Sequence, residues 1–278
     1  MSQIPEELMQ RILSAEPELN SCLPIPRLIC IGAPAPDQKY CAAISLSLDK
    51  MFSFLQSFDS AIRLIEYCEI QSSFSGGKYS EIRLNLNSKK QPYFSANHDG
   101  EFWFELGSLY GNWMMIAARE AAMSVWHISD ALRGIKQEVN NSVFLKTLVD
   151  QKALKAATKT FNSFFPHAEG IRHAIAHSSE LTESTKKIDK NASKKPYKGS
   201  RIQTAGPSFL GESLDGRTLI LSHKGETRSL ELSSRSTINL IHIISACFSA
   251  FSAAEVTLTA EYKRMRDCAP PEVKPDSM

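Results

Sequence analysis

Phe164-Phe165-Pro166-His167-Ala168-Glu169-Gly170-Ile171-Arg172-His173-Ala174-Ile175-Ala176-His177-Ser178 is the stretch on which the reading of this chain turns. Proline removes an interior helical hydrogen bond but is tolerated at a helix start. A helix ending at Phe165-Pro166 and a second one over about Glu169–Ser178 are therefore predicted. Inside the second lies Arg172-x4-His177. Five helical steps rise about 7.5 Å and turn about 140°, so the two side chains do not share a face. Their convergence needs the reach of Arg172 or a distorted turn after Gly170. His173 and His177, four residues apart, do share a face.

These residue types suit a definite chemistry. An RNA phosphodiester is cleaved without metal when a base takes the 2′-hydroxyl proton, an acid protonates the leaving oxygen and a cation steadies the charged phosphorane. Imidazole titrates near neutrality and serves as acid or base. Guanidinium stays charged and matches phosphate oxygens.

Outward from this stretch the pattern is helical. Trp113, Ile116, Ala117, Glu120, Met123, Trp126, Ile128 and Leu132 give a broad apolar face to a helix over about Leu109–Val139. Another helix follows over about Ser142–Phe165. Met51, Leu55, Phe58, Ile62, Ile65 and Cys68 mark an earlier one that starts near Leu46. Between them, Gln71–Tyr79 reads as a loop. Glu81–Leu86 and Glu101–Leu106 read as short strands around the turn signal Asn97-His98-Asp99-Gly100. Downstream, Glu183–Arg201 is lysine-rich. Arg217–Ser222 and Thr227–Leu232, joined by Lys224-Gly225, read as a hairpin. A last helix covers about Ser236–Arg264. The aromatics Trp113, Trp126 and Phe161–Phe165 are assigned to the core.

The expected fold is mainly α, a four- to five-helix up-and-down bundle with small β-hairpin insertions, in one domain over 1–278. Its parts are an irregular segment (1–45), a helical core with the motif (46–180), a basic loop and hairpin (181–235), a C-terminal helix (236–264) and a tail (265–278).

Composition narrows the function. The 278 residues are 42% hydrophobic and 22% charged, which excludes wholesale disorder. A net charge of +2 means that nucleic acid would be held by a local patch and not a global field. None of the six cysteines forms a C-x-x-C pair. Neither a signal peptide nor a membrane span is read, so a cytoplasmic protein with reduced thiols and no membrane contact is expected. The absence of a P-loop, a G-x-G-x-x-G fingerprint and a G-x-S-x-G elbow argues against nucleotide-dependent or α/β-hydrolase chemistry, and no cofactor is expected.

Phe164–Ser178 resembles the motif helix of bacterial HEPN-like proteins, which carry Arg-x4–6-His, often with a polar residue after the arginine. Ala117-Ala118-Arg119-Glu120-Ala121-Ala122 is similar to the helix that packs beside it. The resemblance covers roughly residues 105–180. It implies a homodimer with facing motif helices and metal-independent RNA cleavage, with Arg172 and His177 catalytic and His173 assisting. Products would end in a 2′,3′-cyclic phosphate or 3′-phosphate. Family members act in defence, toxin–antitoxin pairs and RNA processing, so an antitoxin or other regulatory protein is an implied partner. The alternative is a non-catalytic HEPN-like module for dimerisation or partner binding.

Other residues carry two readings each. His173 and His177 with His167 or Glu180 form a rival metal set, but the glutamate base of H-E-x-x-H is missing. Arg119 and Glu120 are either an ion pair or a brace for Arg172, and Asp130 is a weaker case of the same kind. Lys186, Lys187, Lys190, Lys194 and Lys195 either hold RNA phosphates or stand on a solvated loop.

Overall fold

In the computed structural model, which describes residues 23–88 and 98–268, the two prolines Pro34 and Pro36 set where regular structure begins. Two 3-10 turns, Cys30–Gly32 and Ala35–Asp37, precede the first helix. That helix, α1, runs Gln38–Ser88, so it starts as soon as Pro36 is passed and not near Leu46. Helix α2 is His98–Asn141. Then come α3 (Val143–Leu148), α4 (Gln151–Phe164), α5 (Ala168–Ala176), α6 (Ser178–Leu181) and α7 (Thr185–Asn191). Strands β1 (Ser213–Asp215), β2 (Thr218–His223) and β3 (Glu226–Glu231) precede α8 (Ser234–Ser249) and α9 (Ser252–Asp267). Among the described residues the protein is mainly helical with one small antiparallel sheet, ordered β1-β2-β3.

Several boundaries depart from the sequence reading. Glu81–Leu86 and Glu101–Leu106 are helical, and Gln71–Tyr79 continues α1 through Gly76 and Gly77. His98, Asp99 and Gly100 open α2, while Asn97 lies outside the described residues. Trp103 and Phe104 of the expected second strand meet aromatics of the expected loop as contacts between helices: Phe74 meets Trp103 edge-on at 5.7 Å and Tyr79 lies 5.7 Å from Phe104, while Tyr67 meets Tyr110 at 6.1 Å. Strand propensity in aromatics largely reflects packing demand, and two antiparallel helices meet that demand equally well. The helix expected over about Ser142–Phe165 is two. Ser142 accepts from the Leu145 amide at 3.0 Å, and Asp150 accepts from Lys152 and Ala153, so each starts its own helix. The expected last helix is likewise broken at Ala250-Phe251. The tail from Ala269 onward and the first 22 residues lie outside the described residues.

The chain clusters into two compact units. One comprises Leu55–Trp126 and Phe165–Ile238, and the other 23–54, 127–164 and 239–268 among the described residues. The second is a helical cluster whose buried side chains include Ile44, Leu48, Met51, Ile128, Leu132, Phe161, Ile244 and Phe251. Within it Phe54 stacks on His127 at 4.4 Å, and the Asp150 amide donates to the Ala250 carbonyl at 2.9 Å. Among the described residues no single helix is long and apolar enough to cross a membrane, and α8 with α9 is bent by 44°.

The first unit holds the sheet. Lys224 (φ 51°) and Gly225 (φ 80°) make a two-residue turn with both residues left-handed, the form that fits strand twist. Thus β2 and β3 register as Thr218 opposite Glu231 through His223 opposite Glu226. The sequence-read hairpin is present, and β1, which the sequence reading lacked, adds a third strand through the Asp215-Gly216 turn. Arg217 ties the sheet to α1 through Glu66 at 2.7 Å and Glu69 at 2.9 Å.

In the second unit, a Cβ at Gly32 would lie 2.2 Å from the Leu258 carbonyl oxygen. Gly32→Ala is therefore expected to cost about 1–3 kcal/mol through overpacking, read as a lower urea midpoint with an unchanged slope.

Candidate functional site

Small residues bring the motif helix onto the hairpin. Ala168, Ile171 and Ala174 of α5 are buried, and a Cβ on Gly170 would sit 3.4 Å from Arg228 Nε. Strand alternation puts Leu219, Leu221 and His223 on one face of β2, with Arg228 and Leu230 beside them on β3. The expected irregularity falls at His177 and not after Gly170. His177 leaves the helix at φ −119° and ψ 25°, and also caps the start of α6.

Three imidazoles form a column here. His173 stacks against His177 with centroids 5.6 Å apart, and against His223 at 6.1 Å with ring planes only 11° apart. His177 Nδ1 lies 2.9 Å from Glu180 Oε1. That bond holds Glu180 below its ordinary carboxylate value, and an ionised Glu180 assigns the Nδ1 proton to His177, leaving Nε2 free. At the other end His223 is buried. Burial, then Lys224, then His173, Arg228 and His177 hold its titration below the usual histidine value.

Arg172 is turned to a different neighbour. Its guanidinium lies over the Trp126 ring at 4.7 Å, and its Nε is buried with no hydrogen-bond partner among the described residues. The motif thus brings His173 and His177 together and seats Arg172 on α2. Arg119 pairs with Glu212, while Glu120 is exposed on α2. Asp130 pairs with Arg133 at 3.3 Å. Of the aromatics assigned to the core, Phe161 and Phe165 are buried, whereas Trp113 and Phe164 are exposed and Trp126 is half-buried.

The lysine-rich segment is more ordered than a solvated loop. Lys186, Lys187 and Lys190 ride on α7, where Lys187 pairs with Glu183. Lys194 and Lys195 lie in the following segment, whose backbone is stitched down: the Ser193 amide donates to Ser208 and the Lys194 amide to Gly225. Its anchor is Asp215. That buried carboxylate accepts from the Tyr197 hydroxyl at 2.9 Å, from the Ser200 amide at 2.8 Å and hydroxyl at 3.0 Å, and from the Arg201 and Ile202 amides. Burial alone would raise its pKa, but the Arg201 amide, the Tyr197 hydroxyl and the two Ser200 donors outweigh it and hold the group at about 2. Burial and this same bond push Tyr197 up to about 12.

The segment, the hairpin turn and His167 together enclose an open groove of about 580 Å³. His167 Nδ1 faces Arg228 at 3.1 Å, and Arg228 also pairs with Glu226 at 2.7 Å. Among the described residues no three His, Cys, Asp or Glu side chains are gathered as a metal-ligand set.

Sequence reasoning missed His223, Arg228, Glu180's bond to His177, and Asp215. Two signals were present. The Leu219, Leu221, His223 alternation places the histidine on the inner face, and Asp215-Gly216 is a hairpin-turn dipeptide. None of the family models, curated proteins or solved structures compared with the chain matches it.

Asp215→Asn leaves the five donors facing a weaker acceptor. Amide exchange at Ser200, Arg201 and Ile202 should accelerate by about tenfold or more, while amides of α4 stay as in wild type. His167 and His223 both titrate below 6.5 in the folded chain, so the fold favours their neutral forms. Their contribution is present above 6.5 and is lost as pH falls through their folded values. The urea midpoint should drop from about pH 7.5 to about pH 5, and less so in His167→Gln/His223→Gln.

Proposed function

We propose that this chain is a HEPN-like, metal-independent endoribonuclease built on a helical bundle and working as a homodimer. The observation that carries the reading is the His177–His173–His223 column beside a basic groove. In this reading His177 Nε2 takes the 2′-hydroxyl proton as the oxygen attacks phosphorus. The P–O5′ bond then breaks, and a protonated His173 supplies the proton to the departing 5′-oxygen. Arg172 is the cation for the phosphorane charge in this reading, which requires its guanidinium to turn from the Trp126 ring toward the imidazoles. His223 is a positioning residue: as a buried ring kept neutral, it backs His173 without adding a third positive charge. Glu180 holds the His177 tautomer, as a carboxylate does for a working imidazole. The exposed Leu109, Trp113 and Ile116 side chains of α2 supply an apolar face for the homodimer. The site of action would be the cytoplasm, and an antitoxin or other regulator is a partner of the kind this reading implies.

A second reading rests on Arg172. A guanidinium packed on Trp126 with a buried Nε behaves as a structural cation–π contact, which favours a non-catalytic HEPN-like module for dimerisation or partner binding.

RNA cleavage in the presence of EDTA separates the two. Wild type should cleave, while Arg172→Ala and His177→Ala should each lose about a hundredfold or more. Equal rates in all three proteins, or no cleavage by any, would leave the module reading.

A further inference from the structure

The groove between the 193–198 segment and the hairpin turn is a different surface from the imidazole column, though Lys224 on its rim follows His223 directly. Consecutive Cα atoms stand about 3.8 Å apart, so groove and column share one end of β2. Lys194, Lys195 and Lys198 line it from one side and Lys224 from the other, and all four are exposed. Its one carboxylate, Glu226, is already paired with Arg228. The Thr227 hydroxyl on its wall is buried without a hydrogen-bond partner among the described residues. Tyr197 also lines it, with its hydroxyl tied to Asp215.

The geometry points to this groove as the track for the phosphate backbone of single-stranded RNA leading to the imidazole column. The inference rests on the reading that the chain takes RNA. Four mobile ammonium groups spread around an open groove suit successive phosphates of a chain, whereas one small anion would call for a closed pocket with fixed forks. A tyrosine ring held at the wall offers a base a face on which to stack. The segment is pre-organised by the Asp215 bonds and by Lys194 and Gly225, so binding does not have to order it. The assignment separates the lysines of the region. Those at 194, 195, 198 and 224 hold the strand, and those on α7 do not.

The test is fluorescence anisotropy with a non-cleavable 2′-fluoro RNA of about 12 nucleotides, titrated across salt in EDTA. The proteins are wild type, Lys194→Gln/Lys195→Gln/Lys224→Asn, and Lys155→Gln/Lys159→Gln on α4 as a charge control. Asn tolerates the left-handed turn position of Lys224. The triple variant should bind about tenfold or more weaker, with the log–log salt slope shallower by about 2, and the control should match wild type. If the triple variant does not fold, Lys195→Gln alone should still weaken binding and flatten the slope by about 0.7. Wild-type affinity in the lysine variants, an equal loss in the control, or no RNA binding by wild type would overturn the track. So would displacement of the RNA by poly-glutamate at matched charge, which would reassign the groove to an acidic protein. Failure here is distinct from failure of the nuclease reading. Cleavage of a dinucleotide, whose single phosphate lies at the imidazoles, tests those rings without a further phosphate in the groove and should be equal in wild type and Lys195→Gln.

Discussion

Asp215 is the residue through which the lysine-rich surface of the first unit is held together. Its carboxylate ends β1, faces inward, and collects donors from Tyr197, Ser200, Arg201 and Ile202. A buried carboxylate is tolerable only when its lone pairs are met, and here the lysine-rich segment itself meets them. The requirement is mutual. The segment has little apolar surface with which to dock, so the carboxylate supplies an anchor that lysines cannot. Gly199 follows from the same packing, since a Cβ there would lie 1.6 Å from Asp215 Oδ2.

The motif helix depends on a second constraint, close approach. Nine residues of α5 present Gly170 and Ala174 to the hairpin, so the backbone of one element can come near the side chains of the other. That proximity brings His173 to His223 and His167 to Arg228. It also concentrates positive charge. Burial disfavours protonation of His223 most, and Lys224, His173, Arg228 and His177 add to it. Within the column the buried His223 is the ring whose neutral form these neighbours favour.

Arg172 lies in α5 and His177 caps its end, yet they serve different surroundings. His177 stands where the helix ends and its backbone leaves helical angles, free to meet Glu180. Arg172, a turn and a half earlier, lies over Trp126 of α2. The angular separation of about 140° expected for five helical steps is what divides them.

Local chemistry was legible wherever a residue acts on its own neighbours. Pro166 divided two helices, Lys224-Gly225 closed a hairpin, and the apolar spacing from Met51 to Cys68 gave the buried face of α1. The His173–His177 pair was also legible, because four helical steps always share a face. Only the tertiary structure decided what depends on residues distant in sequence. Phe74, Tyr79, Trp103 and Phe104 suit a strand or a helix pair equally, and their partners across the α1–α2 hairpin made the choice. His223 joined the column because strand register turned it toward α5, and Asp215 became an anchor because a segment 15 residues earlier folded back onto it. Periodicity along a chain records which face is buried. It does not record what lies against that face, and that is where the candidate site was made.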